Sequence, residues 1–209
     1  LAGFEALEAL EEFAPDPFVL WETAQGRSRR DASDRYRRWD SAEAHRAFLQ
    51  NDPEAFRWLC ALAITTQPDY ALTLAIGHAL GIELTHDRLL RLSRIPWLSA
   101  NEPATALRLA LLAQCPPDDE RLARQAAAAE LEALREQVAG SFAETDWRVN
   151  LAIHQFALDP RDEAHKQAIR ELRALGLLSG SQEAELDWIV QNRANGSGLP
   201  FGSTRDLDA

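Results

Sequence analysis

Methionine is absent from all 209 residues, and cysteine occurs only twice. The lack of methionine, even at position 1, leaves two expectations open: a piece of a longer product, or a sequence written without its methionines. Either way, a functional partner domain is expected elsewhere. Cys60 and Cys115 both sit in apolar helical surroundings, which favours free buried thiols over a disulfide and fits a cytoplasmic setting. No stretch of about 18 apolar residues runs without a charge or a proline, so no membrane span is predicted. The first residues, Leu1-Ala-Gly-Phe-Glu-Ala-Leu-Glu-Ala-Leu-Glu-Glu, are acidic and amphipathic. A secretory signal instead needs a basic start and a continuous apolar centre.

Several chemical signatures are missing too. No pair of histidines spaced four apart with an adjoining glutamate occurs, so the zinc-protease helix is not predicted. No glycine-rich loop ends in Lys-Ser/Thr, and Ser93, Ser99 and Ser141 lack a Gly-x-Ser-x-Gly setting. Asp162-Glu-Ala-His165 matches a helicase box by letters, but it follows a helix-starting proline rather than a buried strand. Cys60 and Cys115 have no zinc spacing. No alternating run of β-branched residues lies between turn signals, so no strand is predicted. No cofactor and no catalytic residue is assigned.

Positive charge is scarce overall: the net charge is −11, which opposes binding to nucleic acid and to anionic lipid. One local exception is Arg27, Arg29, Arg30, Arg35, Arg37 and Arg38, relieved only by Asp31 and Asp34 and flanked by Trp21 and Trp39. Arginine with aromatic residues is favoured in binding hot spots. The cluster is therefore the candidate partner-binding segment, together with Trp39, against the plainer reading of a solvated loop. His78 and His86, with Glu83 between them, could meet across the Gly81 turn, and they form the alternative candidate for a metal-dependent or other hydrolase site. An exposed or satisfied histidine is the simpler reading, because metals need three or four converging ligands.

What is present is ordinary globular material, with 46% hydrophobic and 26% charged residues. The pattern predicts an all-α fold, an irregular multi-helix bundle of about nine or ten helices, with stacked helical hairpins as a variant. The organising stretch runs from Phe56 to Leu112. Its first two segments, Phe56-Arg-Trp-Leu-Cys-Ala-Leu-Ala-Ile and Ala71-Leu-Thr-Leu-Ala-Ile-Gly77, are apolar nearly all round and predict buried helices. A first helix is read at 3–14 and another from Tyr36 or Ser41 to Gln50. Asp52-Pro53 predicts a cap and restart for a helix to Thr66. Pro68 opens the next helix, stopped by Gly81. Thr85 caps a helix to Arg94, and Asn101-Glu102-Pro103 begins one to Gln114. Cys115-Pro-Pro-Asp-Asp119 is the strongest internal boundary, dividing a region 1–114, whose core helices span 53–112, from a region 115–194 packed on it. The latter holds a long helix to Val138, a helix Trp147–Leu158, a restart at Asp159-Pro160 ending at Gly176, and a short helix Gln182–Gln191. Residues 195–209 read as a flexible tail.

Within the organising stretch the motifs Trp58-Leu59-Cys60-Ala61-Leu62-Ala63 with Pro68, Leu72-Thr73-Leu74 with Gly77, Leu92-Ser93-Arg94-Ile95-Pro96-Trp97, and Leu107-Arg108 with Leu111 resemble a family of uncharacterised helical domains. Those domains occur in bacterial multidomain conflict proteins beside formylglycine-enzyme-like, caspase-like or signalling-ATPase modules. Ala106 stands where the family has tryptophan, and Leu98-Ser99 where it has an aromatic-arginine pair. The resemblance covers about a quarter of the chain closely and implies a regulatory or connecting role in antiviral defence, with no catalytic residue carried over. The expected function is a non-catalytic helical protein–protein interaction module. The alternatives are the hydrolase site near His78, His86 and Glu83, or a phosphate or nucleic-acid binder using Arg27–Arg38.

Overall fold

The computed structural model describes residues 41–66, 68–95 and 104–196, all within the unit Ser41–Ala209. Those residues form ten helices and no strand. In chain order they are α1 Ala42–Phe48, α2 Pro53–Leu62, α3 Tyr70–Ala79, α4 His86–Ser93 and α5 Thr105–Leu112. There follow α6 Pro117–Ala133, α7 Arg135–Val138, α8 Glu144–Leu158, α9 Glu163–Ala174 and α10 Gly180–Gly196. The all-α expectation holds.

Most starts are set by short polar side chains that satisfy free helix amides. Ser41 accepts from Ala44 N, Asp52 from Ala55 N, Asp69 from Leu72 N and Thr85 from Arg88 N. Ser179 Oγ accepts from Gln182 N while Gln182 Oε1 accepts from Ser179 N, a reciprocal box that opens α10. Gly81 closes α3 at φ 67° and Gly176 closes α9 at φ 66°. In each case the following residue reaches back to an earlier carbonyl, Ile82 to Gly77 and Leu177 to Leu172, the geometry that favours glycine at a helix end.

Several boundaries differ from the sequence reading. Asp69, not Pro68, caps α3, and Asp162, not Asp159-Pro160, caps α9. Asp159 is occupied elsewhere: its amide closes α8 onto Gln155 and its carboxylate takes the Arg161 amide. The helix expected to reach Thr66 ends at Leu62, with Ala63 as its cap. The long helix expected to reach Val138 breaks at Leu134, whose amide is shared between the Glu130 and Leu131 carbonyls. The last helix runs past Gln191 to Gly196, so the first two residues of the expected tail are helical.

Packing centres on α2 and α6. The former touches α3, α4, α5 and α6; the latter touches α2, α3 and α8 across the Cys115-Pro-Pro boundary. From Trp58 to Leu62 every side chain of α2 is buried. Trp58 is fully covered, and its indole N–H donates to the Thr73 carbonyl at 3.0 Å. Gly77 lets α3 close on that ring: a Cβ there would lie 2.7 Å from Trp58 Cζ2 and 2.6 Å from Leu84 Cδ2. Only Ile76 and Gly77 of α3 are buried, so this apolar helix is less covered than its composition predicts. A second core forms where α8, α9 and α10 meet, around Val149, Ile153, Phe156, Ile169, Leu172, Leu186 and Ile189.

Candidate functional site

The densest group of ionisable side chains among the described residues lies inside the protein, where α5, α6, α8 and α10 converge. Arg108 projects from the apolar run of α5 and is fully buried. Its Nη1 donates to Glu185 Oε2 at 2.7 Å and to the Ala63 carbonyl at the end of α2 at 3.4 Å. Its Nη2 donates to the Ser181 carbonyl at 3.2 Å and hydroxyl at 3.3 Å. Arg124 of α6 is equally buried. Its Nε donates to Glu120 at 2.7 Å, and its Nη1 to Glu185 Oε1 at 3.0 Å and His154 Nδ1 at 3.3 Å. Glu185 therefore carries one guanidinium on each carboxylate oxygen.

The charges balance, since Arg108 and Arg124 face Glu120 and Glu185. Burial alone would raise the Glu185 pKa, but Arg124 and Arg108 overcome it and hold the carboxyl below the usual range. Burial likewise opposes the charge on Arg124, while Glu185 and Glu120 retain it. For His154, burial and then the neighbouring Arg124 act in the same direction and push its pKa down to about 3. Because Arg124 donates to Nδ1, the imidazole proton sits on Nε2. Such a histidine is neutral, and its basic nitrogen is taken up by a cation. Arg108 Nε and Arg124 Nη2 are buried without a hydrogen-bond partner, so the cluster is balanced in charge and incomplete in hydrogen bonds.

Two further groups border this region. Asp119 takes a bidentate pair from Arg57, with both contacts at 2.6 Å. Cys60 and Cys115 are free and buried, and burial pushes each thiol up to about 12. Both stay protonated at neutral pH, which removes the thiolate that nucleophilic chemistry requires.

On the surface, Pro68, Asp69, Tyr70 and Thr73 face His86, Leu89, Leu90 and Ser93 across a groove of about 350 Å³. Asp69 and Thr73 are engaged in local capping, Asp69 Oδ1 by the Leu72 amide and Thr73 Oγ1 by the Asp69 carbonyl. Tyr70 is 70% exposed. Among the described residues, Phe142, Leu175 and Leu177 are the other large apolar side chains turned outward, apart from Leu90 of the groove. A short turn at 159–162 joins the packed helices α8 and α9. A short connection of this kind joins antiparallel neighbours, with Phe142 just before α8 and Leu175 and Leu177 just after α9.

The sequence candidates fare differently. Arg27, Arg29, Arg30, Arg35, Arg37, Arg38 and Trp39 lie outside the described residues. His78, Glu83 and His86 are all exposed, and no three metal-ligating side chains are grouped among the described residues. His78 lies in the last turn of α3, while His86 starts α4 beside the apolar groove. Asp162 of the helicase-like box is a helix cap, accepting from Ala164 N. The buried cluster escaped the sequence reading. Its signals were an arginine inside the apolar run Leu107-Arg-Leu-Ala-Leu-Leu112, and Glu120 and Arg124 one helical turn apart among alanines.

Comparison with protein-family models, with curated proteins and with solved structures finds no match.

Proposed function

We propose that this chain is a helical protein–protein interaction module that holds or regulates another protein domain, with no reaction of its own. The observation that carries this reading is the division of labour between interior and surface. The buried cluster of ionisable groups among the described residues, Arg108, Arg124, Glu120, Glu185 and His154, is bound up within itself. Meanwhile Phe142, just before α8, and Leu175 and Leu177, just after α9, are turned outward, where large apolar side chains suit a contact with another protein better than water. The resemblance of Trp58–Leu111 to helical domains of bacterial conflict proteins supports a place in a defence system, linking or controlling an effector. The arginine-rich segment Arg27–Arg38 is a second contact surface proposed from sequence.

The test is affinity capture in the native host, with wild type compared to Phe142→Glu/Leu175→Glu and to a charge reversal of Arg29, Arg30, Arg37 and Arg38. The wild type is expected to retain a discrete protein that at least one variant loses, with the Phe142→Glu/Leu175→Glu melting temperature within about 2 °C of wild type because both sites are exposed. Equal retention by all three proteins, or none by any, overturns the reading.

A further inference from the structure

We propose that α10 is a releasable latch, which leaves α5, α6 and α8 as one unit while the rest of the core stays folded. This goes beyond the interaction reading and does not depend on it. The contact at the middle of the latch is not apolar. Glu185 of α10 enters the interior and is clasped by Arg108 of α5 at 2.7 Å and Arg124 of α6 at 3.0 Å. The Ser181 carbonyl and hydroxyl, on the first turn of α10, take the other arm of Arg108. Beside the apolar contacts of Leu186 and Ile189, a single carboxylate and a single serine thus join this helix to two guanidiniums that are both fully buried.

Such a junction differs from an apolar one in what opening returns. When an apolar face is uncovered, it gains nothing from water. When Glu185 leaves, the carboxylate and both guanidiniums recover the hydration that burial removed, and the attraction they lose is offset by that gain. The two donors without a protein partner, Arg108 Nε and Arg124 Nη2, are also opened to bulk water. Leu186 and Ile189 remain the apolar fastening of α10. The pair from Arg173 of α9 to Glu183 is partly exposed, where ion pairs hold weakly. Sub-global opening, in which one element departs while the core stays folded, is ordinary behaviour of folded proteins.

Native-state hydrogen exchange on the full chain tests the proposal. In the wild type at neutral pH, the amides of Leu186 and Ile189 are expected to exchange at least tenfold faster than those of Ile153 and Phe156 in α8. A variant that removes a balanced pair, Arg108→Met/Glu185→Leu, leaves Arg124 with Glu120 and replaces the buried ionic contact with an apolar one. It is expected to narrow that difference to less than threefold. Equal exchange of α8 and α10 in the wild type overturns the latch without need of the variant. A gap unchanged or widened in the variant overturns the assigned cause.

Discussion

Gly77 shows how much a single atom matters in this core. Alanine is the better helix former by about 1 kcal/mol, yet a methyl at this position would meet the Trp58 ring at 2.7 Å. Crowding of that kind costs about 1–3 kcal/mol, so Gly77→Ala is expected to lower the urea midpoint despite the gain in propensity. His154 supplies the other residue-scale prediction. Its pKa is about 3 in the folded protein and returns to about 6.5 on unfolding. Below about pH 6.5 the unfolded chain takes a proton that the folded one refuses, so stability falls as pH falls. Between pH 6.5 and 5 the loss is about 2 kcal/mol. Denaturant titrations at pH 7 and 5 should show it, and His154→Gln, which keeps an acceptor for Arg124, should remove most of the difference. Glu185 acts in the same direction at lower pH. Its pKa is depressed in the fold, so its contribution is present above the unfolded value and lost as acid carries it through the folded one. These residue-scale effects were the least legible in the sequence. An arginine or glutamate on a helix reads as solvated, and only partners far away in sequence, such as Arg108 and Glu185, reveal that it is not.

At the scale of the element the sequence was easier to read, because caps are local. Ser41, Asp52, Thr85, Gly81 and Gly176 each announce a helix end through their own side chain or backbone. The errors fell where two signals competed within a few residues, as at Asp159 and Asp162. Only the geometry of the preceding helix decides which aspartate is free to cap there. Asp52 has two functions. It caps α2 through the Ala55 amide and pairs with Arg88 of α4 at 2.9 Å, so one carboxylate sets the angle between these helices. Burial alone would raise its pKa, but the Arg88 contacts and the Ala55 amide lower it overall. Asp52→Ala is expected to cost about 1–2 kcal/mol by chemical denaturation, toward the upper end of the range for a lost cap because Arg88 also loses one of its two carboxylate partners, keeping Glu54. Ser41→Ala, a cap without an ion pair, is expected to cost about half as much.

For the molecule as a whole, position in the interior decides which charges matter. Glu185→Gln leaves two guanidiniums inside the protein facing a neutral amide, and is expected to cost about 3–5 kcal/mol. Arg121→Ala, which removes an exposed pair with Asp118, is expected to change stability by less than about 0.5 kcal/mol. Urea midpoints measured side by side would check the contrast. All-α architecture and the central place of α2 were legible from composition and from the run Trp58–Leu62. The burial of α3 was over-read from its apolar composition. How the helices converge on Glu185 was not legible, because it depends on which helix faces meet across more than 70 residues of chain. The contact between α2 and the end of α5 also carries sulfur. Cys60 lies in α2, Cys115 follows α5, and the two are near enough for the charge of one to bear on the other. Cys60 is 1% exposed, so its labelling by a bulky maleimide becomes a stopwatch that starts only when α2 is uncovered.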